Sequence, residues 1–122
     1  DVEEKYKSSS IKQIINFSMA QFEYWTQDGF ACSFRRLLTL EQYKSGEMNR
    51  LYQNYLVTGP LGYVTDLLSS LGYDEPQSKA LALYAPMFFL FGAYDSGKNK
   101  EDVIRLADEH FDRIYKMLEN NI

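Results

Sequence analysis

The chain holds one histidine, His110, and one cysteine, Cys32. A histidine-rich zinc site therefore cannot be assembled, and the HExxH pattern is ruled out. The residue three before His110 is Ala107, so the ExxH repeat of carboxylate-bridged di-iron bundles is missing as well. No CxxC, GxGxxG or complete GxxxxGK[ST] phosphate-binding pattern occurs. Cys32 and His110 are left as the one nucleophile and base to weigh against each other. The apolar neighbours Ala31 and Phe34 mark Cys32 as a core or lining thiol, and His110 reads as a polar-face or interface residue. Glu23, Glu41 and Glu47 stand apart without pairing at helical spacing, as a solvated surface does. No catalytic residue, metal or cofactor is expected, and the chain does not read as an enzyme.

Binding is the chemistry that remains. Aromatic residues make up 16% of the chain, and such a surplus lines either an apolar cavity or a dense core. Phe22, Tyr24, Trp25, Phe30, Phe34, Tyr52, Tyr55 and Tyr63 fall on the apolar sides of three expected helices, one of which meets Gly59–Pro60. Proline has no N–H and clashes with the preceding turn, so a helix must kink or restart there, and a kink opens space between helices. The tyrosine hydroxyls and the Trp25 N–H would supply polar contacts inside such a space. Arg35 and Arg36 follow Phe34 directly; one of them turned inward would suit an anionic ligand, whereas a salt bridge or surface position is the plainer reading.

The elements that must position these residues are helices. At 122 residues the chain fits a single domain with one core. A net charge of −4 without a basic run longer than Arg35–Arg36 argues against nucleic-acid binding by this chain alone. One cysteine permits no intrachain disulfide, in keeping with a reducing, cytoplasmic setting. No secretory leader opens the chain, and the start at Asp1 suggests a cut from a longer protein, with residues 1–8 as linker or frayed lead-in. Ser10 and Gln13 match a capping box, followed by apolar residues at Ile11, Ile14, Ile15, Met19, Phe22 and Trp25. Gln27–Asp28–Gly29 interrupts, a second helix carries Phe30 to Leu38, and Ser45 caps a third. Gly72 ends the stripe that follows Gly59–Pro60, Asp74 opens a long helix with Pro76 in its first turn, and Asn99 caps the last. No period-two alternation appears. The expectation is an all-α antiparallel bundle of about five to six helices.

Between Lys79 and Asp95 there is no charge, only residues such as Tyr84, Met87, Phe88, Phe89, Leu90, Phe91 and Tyr94 around Pro86. The run is too short for a bilayer span. A helix apolar on its whole circumference must be covered on all sides, and in so small a domain a second copy of the chain is the natural cover.

Two stretches resemble the effector domain of TetR/AcrR-family transcriptional regulators: FRRLLTLEQYKSGEMNRLYQNYLVTGPLGYVTDLL (34–68) and LALYAPMFFLFGAYDSGKNKEDVIRLADEHFDRIYKML (81–118). The resemblance spans Ser10 to the end and rests on an aromatic-rich penultimate helix, a small-residue turn and an amphipathic final helix. It implies an all-helical domain of a bacterial regulator that binds a small apolar or aromatic effector and dimerises, its last two helices pairing with those of a second copy as a four-helix bundle. The family's basic DNA-binding helices are absent, so operator DNA would be met only by the full-length protein. By the resemblance, Tyr84, Met87, Phe88, Phe91, Ala107, Phe111, Ile114 and Leu118 form the dimer interface, and Phe22, Trp25, Phe34, Tyr55 and Tyr63 line the effector cavity. Ligand would then shift the spacing of the DNA-binding heads. The alternative is a helical homodimeric interaction module with a filled core.

Overall fold

Short polar residues set where the helices begin. The computed structural model describes residues 1–97 and 99–120, and in these it contains six helices and no strand: α1 (Val2–Gln27), α2 (Gly29–Glu41), α3 (Gly46–Leu56), α4 (Thr58–Ser70), α5 (Pro76–Ser96) and α6 (Lys100–Glu119). Asp1, Asp28, Ser45 and Asn99 each accept a hydrogen bond from a backbone N–H three residues on, at 2.9 to 3.2 Å. A free N–H of the first turn is thereby satisfied in α1, α2, α3 and α6. α4 closes in a Schellman turn: the Tyr73 N–H reaches the Leu68 carbonyl, the Gly72 N–H reaches Ser69, and Gly72 takes φ +84°.

Two expected starts are corrected. Residues 2–8 belong to α1 rather than to a lead-in, because Asp1 caps the helix and Glu3 and Glu4 sit in its first turn, where the dipole favours negative charge. Ser10 forms no capping box; its hydroxyl donates to the Tyr6 carbonyl one turn back, at 2.9 Å. At α5 the cap position falls on Glu75, at φ 48°, instead of Asp74, and Pro76 is the first helical residue.

α5 packs against α4, α6 and α1, and α1 also meets α2 and α6. Phe22 on α1 stacks on Phe91 of α5 at 5.7 Å and takes Phe111 of α6 edge-on at 6.4 Å, so one aromatic knot ties the three longest helices. Leu38, Leu68, Ala80 and Leu118 are wholly buried around it.

The residues expected at a dimer interface lie mostly inside the single chain. Met87, Phe91, Ala107, Phe111, Ile114 and Leu118 are buried against its own helices, because one side of α5 and the apolar stripe of α6 face each other and α1. Tyr84 is half-buried, its hydroxyl donating to the Leu56 carbonyl, and Phe88 remains 38% exposed. α5 leaves other apolar residues outward, with Leu81 and Phe89 exposed (Phe89 at 75%), and Leu106 of α6 is exposed as well. Among the described residues no helix is long and apolar enough to cross a membrane.

Candidate functional site

α3 and α4 are separated by Val57 alone, and this break shapes a cavity. Gly59 brings its backbone against the carbonyl of Asn54, so close that a Cβ there would stand 1.9 Å from that oxygen. Beside this junction lies a space of about 250 Å³ that α1 and α5 also line.

Aromatic rings wall it. Trp25 of α1 meets the Tyr55 ring edge-on at 6.5 Å, and Tyr63 of α4 faces Phe17 of α1 at 5.4 Å. Phe34 lies outside the lining and supports it from behind, stacked on Trp25 at 6.5 Å and edge-on to Tyr55 at 5.4 Å. Phe22 belongs to the core knot with Phe91. Of the five expected lining residues, the structure thus brings Trp25, Tyr55 and Tyr63 to one cavity and leaves Phe22 and Phe34 in supporting positions.

The lining contains no charged side chain among the described residues. Ser18 is spent on its own helix, donating to the Ile14 carbonyl at 2.9 Å. Tyr84 is spent on Leu56, and burial, helped by Tyr52, pushes its phenol far above the ordinary tyrosine range. Gln21 of α1 and Asn54 of α3 both line the cavity, and their side-chain amides take no protein partner among the described residues. Sequence reasoning passed over both; their signal was their position, one turn from Trp25 and next to Tyr55. An uncharged planar molecule could stack between the rings and exchange hydrogen bonds with these amides.

A second polar cluster joins α1, α2 and α5. Arg35, 4% exposed, grips Asp95 with both terminal nitrogens, at 2.6 and 2.8 Å, and donates through Nε to the Trp25 carbonyl at 3.0 Å. Its guanidinium lies 5.0 Å over the Phe91 ring. Arg36 reaches the same Asp95 oxygen at 3.3 Å. Burial works against the Asp95 carboxylate, but hydrogen bonds and charge from Arg35 and then Arg36 outweigh it and hold its pKa below the usual carboxylate range. Of the two adjacent arginines, Arg35 is the one turned inward, held in a salt bridge.

Cys32 lies beside this cluster, its sulfur 3.7 Å from Arg35 Nη2 and 3.8 Å from Asp95 Oδ1. His110 is far from an exposed polar face: it is 6% exposed on α6, with Nε2 2.7 Å from the Leu83 carbonyl. A carbonyl only accepts, so Nε2 carries the proton. Pro86 removes the N–H that would meet the Ala82 carbonyl, and His110 enters α5 beside that opened turn. Neither residue is placed to activate the other. Among the described residues no group of acidic, cysteine or histidine side chains is arranged to hold a metal.

Desolvation, with a smaller contribution from the Arg113 charge, lowers the His110 pKa against the opposing hydrogen bond to Leu83. The unfolded chain therefore binds a proton more readily, and the neutral ring contributes stability above the ordinary histidine pKa near 6.5 that is lost as pH falls through the lower folded value. Urea midpoints measured from pH 7.5 down to 5.5 should fall, and His110→Phe should flatten that slope.

No family model, curated protein or solved structure matches this chain.

Proposed function

We propose that this chain is an effector-binding and dimerisation module of a TetR-like transcriptional regulator, and that its effector is a neutral aromatic molecule. The observation that carries the reading is the open, uncharged, ring-walled cavity at the α3–α4 break, bounded also by α1 and α5. A filled-core interaction module would leave no such space. The resemblance of residues 34–68 and 81–118 to that family's effector domain supplies the rest of the proposal.

In this reading the ligand stacks on Trp25 and Tyr55 and meets the amides of Gln21 and Asn54. α1 forms one wall and is a single rod of 26 residues, so a ligand that fits one placement of α1 better than another biases that placement. The rod would pass the shift to a DNA-binding head elsewhere in the regulator. The second copy would sit on the outward strip of α5 with Phe89 and Leu81, a different set from the buried residues first expected there.

The test uses naphthol and the fluorescence of Trp25, the sole tryptophan. Saturable quenching is expected. Gln21→Trp, which places a large ring in the cavity from a half-buried position, should weaken naphthol binding about tenfold or more while the chain stays folded, binding being read by calorimetry because a second indole is present. Unchanged affinity in this variant would refute the site. Sedimentation of the wild type and of Phe89→Glu tests the assembly: a dimer that the charge dissociates supports it, and a wild-type monomer at micromolar concentration overturns it.

A further inference from the structure

A second cavity, of about 390 Å³, opens on another side of α5, between α2 and α3. Its walls are apolar: Leu40 of α2, Tyr52 of α3, and Phe88 of α5, whose ring stands edge-on to Tyr52 at 6.4 Å. Gly92 forms part of the wall where a side chain would otherwise project, and a Cβ placed there meets no atom within 4 Å. One end of this space is charged, by the Arg35, Arg36 and Asp95 cluster.

The charges at that end do not balance. Arg35 and Asp95 are matched two nitrogens to two oxygens, at 2.6 and 2.8 Å, a complete bidentate pair. Arg36 adds a second guanidinium against the same single carboxylate. Its contact, at 3.3 Å, goes to the oxygen that already accepts the 2.6 Å bond from Arg35. Among the described residues it has no other ion pair. Its side chain is half-exposed and lines the cavity, so most of its fork of donors is left for a ligand or solvent. The end of the cavity thus carries one net positive charge in a chain whose overall charge is −4.

A positive fork at one end of an apolar slot is the complement of a single carboxylate on an apolar body. We infer that this second cavity binds an amphiphilic monocarboxylate, its carboxylate paired with Arg36 and its hydrocarbon part laid between Leu40, Tyr52 and Phe88 over Gly92. Arg35 takes no part in the contact, being committed to Asp95 and the Trp25 carbonyl; with Asp95 gripped by Arg35, the charge of Arg36 is only partly matched by its 3.3 Å contact. The same head group is found on alkyl and on aryl acids, and the slot's apolar walls accept either. This inference is independent of the effector proposed for the first cavity, which holds no charge.

Calorimetric titrations of the whole chain with decanoate, naphthoate and decanol decide it. Binding of at least one of the two acids at one per chain is expected, the better of them naming the alkyl or the aryl source. Arg36→Gln should weaken that acid about tenfold, the scale of one charge-assisted hydrogen bond. Decanol should bind more weakly than decanoate and be indifferent to Arg36→Gln. Gly92→Met, which fills the slot from a helical position where glycine is itself unfavourable, should abolish acid binding and leave the naphthol site intact. Gln21→Trp should do the reverse. Absence of binding by both acids overturns the inference, and so does an affinity that neither Arg36→Gln nor Gly92→Met changes in chains that thermal melts show to be folded.

Discussion

Replacing Arg35 by methionine should destabilise the fold by about 3 kcal/mol, a loss on the order of 10 °C in melting temperature for a chain of this size. The substitution keeps the length of the apolar stem and removes the guanidinium. Asp95 then loses its bidentate partner, and the Trp25 carbonyl loses a donor inside the core. Asp95 is 18% exposed and Arg36 stands close enough to share it, which keeps the loss at the low end of what an orphaned buried charge costs. The double variant Arg35→Met, Asp95→Leu should recover much of the difference, because the stranded carboxylate goes with its partner. The pH dependence follows from the same pair. The depressed Asp95 pKa means that its contribution is present above the ordinary carboxylate range near 3.8 and is lost as pH falls through the lower folded value. Arg35→Met should therefore be less acid-sensitive than the wild type below pH 4. Urea denaturation of the wild type, Arg35→Met, Asp95→Leu and the double variant measures all of it; a loss under about 1 kcal/mol for Arg35→Met would contradict the structural role assigned to Arg35.

Two glycines of α4, three residues apart, should respond in opposite directions to the same substitution. A methyl group on Gly59 would be driven into the Asn54 carbonyl, a backbone atom that cannot swing aside. Gly59→Ala should cost on the order of 2–3 kcal/mol, the scale of locally stored backbone strain, and should loosen naphthol binding because Asn54, Gly59 and Pro60 all line the cavity. Gly62 has open space where its Cβ would go, and in a helix interior alanine is better than glycine by about 0.5–1 kcal/mol. Gly62→Ala should therefore raise the melting temperature. Thermal melts of both variants beside the wild type give the comparison, and equal shifts of the same sign would disprove the reading of the α3–α4 junction.

Local signals were the ones the sequence carried openly. Ser45 and Asn99 announce their helices because a cap needs only its own next three residues, and Gly72 announces the end of α4 because only the left-handed turn there demands it. Ser10 shows the limit of that reasoning: a serine followed by glutamine at the right spacing also satisfies itself by bonding back to Tyr6 when the helix has already begun upstream. The resemblance grouped Met87, Phe91, Phe111, Ile114 and Leu118 as apolar residues of the last two helices, but an apolar set does not say what covers it. Here the apolar residues of the two helices are buried within the one chain, and the apolar residues left outward include Leu81 and Phe89. Trp25, Tyr55 and Tyr63 were legible as a group because a Gly–Pro break must open space near aromatics on adjoining helices. Phe22 and Phe34 satisfy the same pattern and fall a layer behind. The Arg35–Asp95 pair spans 60 residues, and no local rule joins them. The one hint was that Asp95 is the first charge after a long uncharged run, where a lone carboxylate wants a nearby cation.

Phe91 has a consequence beyond packing. Its ring is part of the wall of both cavities, stacked on Phe22 and held under the Arg35 guanidinium. A single ring cannot take up two settings at once. If an occupant of the first space turns it, the second space changes shape, and the reverse holds by the same motion. Thermodynamics then requires the two occupants to alter each other's affinity by one common factor. Such a chain would report on a pair of molecules jointly, as a comparator of an uncharged signal and an acidic one.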